Sequence, residues 1–179
     1  MTSKHLDRLS ILIHGDTGRA RQRQAAAMQG FGVHDISHSS RLATFTQLVA
    51  ARAYDIIFIN PESLAGLHEA VAVARDRSVS ATPYAVVFAF FTLPSKETVK
   101  RAIHLGVDGV SSTNFTAEVL WKQIAHFTNN SRTFMRTGSY FGPDRRRTKT
   151  IHYGGVERRE QAPRRGVRDT AEDHYVTSF

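Results

Sequence analysis

The 179-residue chain contains no cysteine. Disulfides, thiolate zinc sites and thiol nucleophiles are thereby excluded. No stretch approaches the ~20 consecutive apolar residues of a membrane-spanning helix. Met1-Thr2-Ser3-Lys4-His5 leads into no secretory hydrophobic region. The chain therefore reads as cytoplasmic and not inserted in a membrane. Its nine histidines are scattered rather than set beside carboxylates at ligand spacing, with His34 and His38 the nearest to a pair. No metal site is expected from them. The last quarter also lacks the apolar residues that a second core would need, so the length suits one ordinary domain of ~100–150 residues plus an appendage.

What the chain does have is positive charge, formally +8, placed unevenly. Residues 1–132 carry 14 Lys/Arg against 10 Asp/Glu, an ordinary surface, whereas residues 136–168 carry 10 against 3, nine of the ten cations being arginine. Asp169, Glu172 and Asp173 then reverse the sign. This divides the chain into a domain over 1–132 and an arginine-rich, largely disordered tail over 133–179.

Within 1–132 the apolar pattern alternates between strand and helix five times. Leu9–His14 reads as a strand ending at Gly15-Asp16, and residues 17–29 as a helix. Val33–Ser37 is the second strand, and Ser39-Ser40 can cap a helix bearing Leu42, Phe45, Leu48 and Val49 on one face. Tyr54–Asn60 is an almost unbroken apolar run, as in a parallel sheet covered on both faces, and Pro61 stops it. A helix over Ser63–Arg77 follows. Tyr84–Ala89 is the fourth strand, Ser95 caps the next helix, which ends at Gly106, Asp108–Ser112 is the fifth strand, and Thr116 opens the last helix. Such alternation predicts an α/β fold with a doubly wound, five-stranded parallel sheet. Its working site would lie beyond the carboxyl ends of the strands, near Gly15-Asp16, Asn60, Phe88 and Thr113.

The tail repeats a phrase: Tyr140-Phe141-Gly142-Pro143-Asp144-Arg145-Arg146-Arg147, then Tyr153-Gly154-Gly155-Val156-Glu157-Arg158-Arg159-Glu160. Each copy is aromatic, glycine, acid, paired arginines. Arginine forks onto phosphate oxygens and onto guanine O6 and N7, and its plane stacks on a purine. The acids Asp144 and Glu157 would repel phosphate but can accept from the N1 and N2 donors of guanine, so acid plus arginine points to guanine. Tyr140, Phe141 and Tyr153 are stacking candidates. The turns before each cluster use Gly142-Pro143 and Gly154-Gly155. Two motifs match a ligand with two guanines and two phosphates, which describes cyclic di-GMP. Carboxylates among the cations argue against non-specific nucleic-acid binding, the third reading of the tail.

Residues 7–130 resemble the CheY-like receiver domain of response regulators. The resemblance rests on Ile11-Leu12-Ile13 before an acid, Tyr54-Asp55-Ile56-Ile57-Phe58-Ile59, Thr82-Pro83 and Gly106-Val107-Asp108-Gly109. It implies a flavodoxin-like receiver whose chemical positions are degenerate. The acidic pair after the first strand falls on Gly15 and Asp16, and the phosphoacceptor aspartate on Asn60. The hydroxyl residue ending the fourth strand falls on Phe88, the lysine on Thr113, the following proline on Asn114, and the aromatic switch on Val110. Phosphoryl transfer needs a carboxylate nucleophile, magnesium held by oxygen ligands and a cation to offset developing charge. Asn60 cannot form an acyl phosphate, so a pseudo-receiver without catalytic residues is expected. Asp55 stands at the wrong end of its strand to substitute for it. Asp16-Thr17-Gly18 matches an aspartic-protease triplet, but between a strand and a helix it is read as coincidence.

A receiver followed by duplicated Gly-Pro-Asp/Glu-Arg-Arg phrases resembles the CheY-like cyclic di-GMP effectors, the Cle proteins. The match covers residues 140–165, including Pro163-Arg164-Arg165, and departs from the pattern at Val156. It implies a non-enzymatic adaptor that binds cyclic di-GMP through Asp144, Arg145, Arg146, Arg147, Glu157, Arg158 and Arg159, with Arg164 and Arg165 auxiliary. A signalling or flagellar-motor protein would be its partner. The alternative is a phosphorelay receiver that works through protein contacts around its fourth and fifth helices without a second messenger.

Overall fold

The computed structural model describes residues 8–15, 18–129, 133–137, 140–144 and 176–177. Five strands, β1 (Ser10–His14), β2 (Asp35–Ser39), β3 (Ile56–Ile59), β4 (Val86–Phe91) and β5 (Gly109–Ser112), alternate with five helices. The helices are α1 (Gly18–Gly30), α2 (Leu42–Ala51), α3 (Leu64–Arg75), α4 (Lys96–Leu105) and α5 (Ala117–Asn129). All strand pairs in this sheet are parallel, in the order β2-β1-β3-β4-β5. This is the doubly wound flavodoxin-like arrangement expected of the alternation.

The central strands read as continuous apolar runs because both their faces are covered. Ile11, Leu12 and Ile13 of β1 and all four residues of β3 are buried. One core lies under α2, α3 and α4, where Phe45, Val49, Leu67, Val71 and Ala102 meet Leu12, Ile57 and Val87. The other lies under α1 and α5, where Met28, Leu120 and Ile124 meet Ile11, Phe58 and Phe88. Helix ends follow local chemistry: the hydroxyls of Ser63 and Ser95 accept from Gly66 N and Thr98 N, satisfying otherwise orphan donors. Gly106 closes α4 in the left-handed region at φ +106°.

Two local expectations shift. Val33 belongs to the wrap of α1, its N–H donating to Met28 O at 3.1 Å, so β2 begins two residues later. Ser39 is consequently a strand residue in register with His14, and α2 starts after Arg41 with no side-chain cap.

A second, antiparallel sheet follows the domain: β6 (Thr133–Thr137) pairs with β7 (Tyr140–Pro143) and with the short β8 (Val176–Thr177). Residues 133–143 thus form a hairpin packed on the domain, although charge composition places them in the tail. Phe134 is 3% exposed and its ring meets those of Tyr84 at 5.1 Å and Phe141 at 5.7 Å. Burying one such aromatic contributes about 1.5–3 kcal/mol, which the sparse apolar content of the later tail cannot supply.

Candidate functional site

At the carboxyl end of the sheet, Gly15 follows β1 with φ +120°. Its N–H donates to Ser39 O at 3.0 Å. A Cβ at this position would lie 2.3 Å from the Asn60 carbonyl oxygen, so glycine is required both by conformation and by the approach of β3. Asn60 follows β3 and donates its own N–H to His14 O at 2.8 Å. Its carboxamide is 4% exposed and pairs with that of Gln24 from α1, which is fully buried. Gln24 Nε2 donates to Asn60 Oδ1 at 2.8 Å, and Asn60 Nδ2 donates to Gln24 Oε1 at 2.9 Å and to His14 O at 3.2 Å. The position that the receiver resemblance assigns to a nucleophile therefore holds a neutral side chain whose polar atoms are already satisfied.

Neighbouring positions fit the same picture. His14 is half-buried, its Nδ1 2.9 Å from Ser39 Oγ and its ring 4.5 Å from that of Phe45. Burial pushes its pKa down, the bond to Ser39 opposing this. Thr113, in the lysine position, follows β5 and donates its N–H to Phe91 O at 2.8 Å. Val110 is half-buried within β5 against the α2–α4 core. Asn114 is exposed, its N–H bonded to Ser112 Oγ. Asp16 lies outside the described residues. Among the described residues no group of three or more His, Cys, Asp or Glu side chains could hold a metal ion.

Phe88 requires a correction. Expected at the carboxyl end of β4, it lies mid-strand, paired with Phe58 and Gly109, because β4 continues to Phe91. Its ring is buried in a cluster with Phe58, Phe90 and Phe127. A Cβ on Gly109 would fall 2.5 Å from that ring, which explains the glycine opposite it. The residues at the carboxyl end of β4 are Phe91 and Thr92, whose carbonyl accepts from Ser112 Oγ at 3.1 Å. Asp55 stands at the opposite, amino end of β3, where Oδ2 accepts from Ser10 N and Ser10 Oγ, both at 2.8 Å. Its role is structural, as its place in the sequence indicates.

The start of the arginine-rich segment lies at that same amino end, on the far side of β4 and β5. β4 is six residues long, so the two ends are about 20 Å apart at ~3.3 Å per residue. Here Arg75, the last residue of α3, is buried and forms an ion pair with Asp108 at 2.7 Å. Its guanidinium also donates to the carbonyls of Pro83, Ala85 and Gly106. Asp108 in turn accepts from Val87 N at 2.8 Å. Every strong donor of the guanidinium is matched, the condition under which a buried charge is tolerable. Burial nevertheless pulls the Arg75 pKa down, against the pull of Asp108. The ring of Phe134 covers the guanidinium at 5.0 Å.

The stacking candidates of the first motif copy fall within this packing. Phe141 is half-buried, its ring engaged by those of Tyr84 at 5.4 Å and Phe134. The Tyr140 hydroxyl donates to Pro143 O at 3.1 Å, and its ring lies across Gly142, where a Cβ would be 2.6 Å from the hydroxyl oxygen. Gly142 is thus a strand residue that makes room for Tyr140. Asp144 is half-buried at the end of the hairpin. Arg145, Arg146, Arg147, Tyr153, Glu157, Arg158, Arg159, Arg164 and Arg165 lie outside the described residues.

No family model matches the sequence, and the curated proteins searched contain no match to it. Solved structures of similar fold include response-regulator receivers. One is an atypical orphan response regulator whose structure revealed a phosphorylation-independent regulatory mechanism, at 15% identity, covering 66% of this chain and 93% of that one, with TM-score 0.53. The chemotaxis protein CheY4 of Vibrio cholerae is similar at 19% identity, 66% and 97% coverage and TM-score 0.56. The receiver domain of the sensor histidine kinase PA1611 of Pseudomonas aeruginosa, solved with magnesium in its active-site cleft, is similar at 12% identity, 68% and 98% coverage and TM-score 0.57. Identities this low speak for the fold alone.

Proposed function

We propose that this chain is a non-enzymatic cytoplasmic signalling adaptor: a pseudo-receiver that binds cyclic di-GMP through its arginine-rich segment and regulates a protein partner, the flagellar motor switch being the candidate. The observation that carries the reading is the doubled acid–arginine motif, Asp144 to Arg147 and Glu157 to Arg159. It supplies, twice over, acceptors for guanine N1 and N2 and forks for guanine O6, N7 and phosphate. The Asn60–Gln24 pair supports it from the other side, because a receiver with an amide in place of its nucleophile needs an input other than phosphoryl transfer. The resemblance to the Cle proteins supplies the motor as candidate partner. Exposed apolar side chains at α4 offer a docking face, Leu93 (91% exposed) in the loop before the helix and Ile103 (37%) on it, and the helix also carries Lys96, Glu97, Lys100 and Arg101.

Isothermal titration of the full chain with cyclic di-GMP tests the proposal. Saturable heat that disappears on deleting residues 145–168 is expected. Absence of heat, or undiminished binding by the deletion variant, overturns it. Incubation with acetyl phosphate and magnesium checks the phosphorelay alternative, which requires a stable adduct, and affinity for arbitrary oligonucleotides that falls steeply with salt would favour nucleic acid instead.

A further inference from the structure

A groove of about 920 Å³ runs between the carboxyl end of α3 and the β6–β7 hairpin, within the ~300–1,000 Å³ range of small-molecule sites. Its walls carry His68, Asp76, Arg77, Arg136, Tyr140 and Phe141. Arg77 and Arg136 are exposed, and neither forms an ion pair with an acid among the described residues. The single carboxylate is held in a fixed direction: Asp76 Oδ1 accepts from Ser78 N at 2.8 Å and Ser78 Oγ at 2.6 Å. These bonds hold its pKa down and keep it ionised. Its other oxygen, Oδ2, accepts no hydrogen bond among the described residues.

An ionised acid with an oxygen that accepts no hydrogen bond among the described residues, two guanidinium groups without an ion pair among them, and aromatic side chains in the walls repeat, within the folded domain, the combination found in each tail motif. Phosphate alone would be ill served by Asp76, and a neutral ring by the two arginines. A guanine nucleotide uses both. The hairpin also delivers the chain to this place, since Tyr140 and Phe141 immediately precede the first motif cluster.

We propose that this groove is a guanine-nucleotide subsite of the folded domain and seats one half of cyclic di-GMP. Asp76 Oδ2 accepts from the base N1 and N2 groups, Arg77 and Arg136 hold phosphate oxygens, and Tyr140 and Phe141 form the apolar floor. The inference rests on the cyclic di-GMP reading above.

Calorimetry on the full chain tests it with two variants at surface positions, R77A/R136A and D76N, the latter keeping an acceptor for Ser78. The arginine variant is expected to bind cyclic di-GMP at least tenfold more weakly. The D76N variant is expected to lose most of the discrimination between cyclic di-GMP and cyclic di-AMP. Amide resonances of His68, Ser78 and Thr137 should shift on titration of the unmodified chain, and the variants' spectra report whether each remains folded. Wild-type affinity in both variants, with those three amides unmoved, overturns the subsite while leaving the tail reading intact. No binding by the unmodified chain overturns both.

Discussion

Gln24 on α1 and Asn60 at the end of β3 face each other and exchange two hydrogen bonds, at 2.8 and 2.9 Å, with both side chains buried. Each amide both donates to and accepts from the other, and Asn60 Nδ2 donates in addition to His14 O. Gln24→Ala would leave the Asn60 carboxamide without its partner, and the expected loss is about 1–3 kcal/mol in urea denaturation at pH 7. An unchanged midpoint would mean that water replaces Gln24 without cost.

Asn60→Asp supplies the carboxylate that the receiver resemblance expects but sets it against Gln24 Oε1 and the His14 carbonyl. Burial raises such a carboxyl's pKa. Its unfolded form ionises near pH 3.9, so stability should be close to wild type at low pH and should fall as pH rises above that value. Mass spectrometry after acetyl phosphate treatment should show no phosphorylated fraction.

Gly15→Ala combines a left-handed backbone, φ +120°, with a Cβ 2.3 Å from the Asn60 carbonyl. A loss of about 2 kcal/mol or more is expected, seen as a lower Tm by calorimetry. The same substitution at Gly18, where nothing lies within 4 Å of a Cβ, should leave Tm unchanged or slightly raised.

His14 is held with its pKa below the ordinary 6.5 by burial. The unfolded chain therefore binds this proton more readily than the folded one. The corresponding stability is present above pH ~6.5 and is lost as pH falls below it, until the folded histidine also protonates. Urea midpoints from pH 8 to pH 5 should decline through this window, and His14→Gln should flatten the decline. An equal slope in both proteins would place its origin in another group.

The Arg75–Asp108 pair is buried on both sides and covered by Phe134. Asp108→Ala strands a guanidinium in the interior, at an expected cost of about 3–5 kcal/mol. Phe134→Ala should cost about as much, through the cavity left against Tyr84 and Arg75. Truncation separates hairpin from tail: residues 1–144 should melt close to the full chain, and residues 1–132 well below it.

Much of this architecture was legible in the chain. Apolar runs mark the buried central strands β1, β3 and β4, Ser95 caps α4 and Gly106 ends it as their positions suggest, and Ser63, at the expected start of the third helix, is its N-cap; β2, at the sheet edge, is largely exposed. The end of β4 was not legible, because Tyr84 to Phe91 is one apolar stretch and periodicity cannot mark where pairing stops. That ambiguity misplaced Phe88. The hairpin was hidden by the charge of its neighbours, although Gly138-Ser139 between two β-prone runs is a hairpin signal. Asn60 was identified from its position alone, whereas its partner Gln24 carries no sequence mark. Arg75 and Asp108 are 33 residues apart and meet only through the α3–α4 crossover.

The closeness of Gly15 to the Asn60 carbonyl works as a ratchet on what this fold can become. A side chain at position 15 collides with β3, and an aspartate at position 60 sets an oxygen against Gln24 Oε1, so each single step toward a phosphotransfer site meets a penalty before any chemistry can reward it. Only several changes made together would open that route. The close approach of β1 and β3 thus holds this end of the sheet to a glycine and an amide, whatever input the chain takes elsewhere.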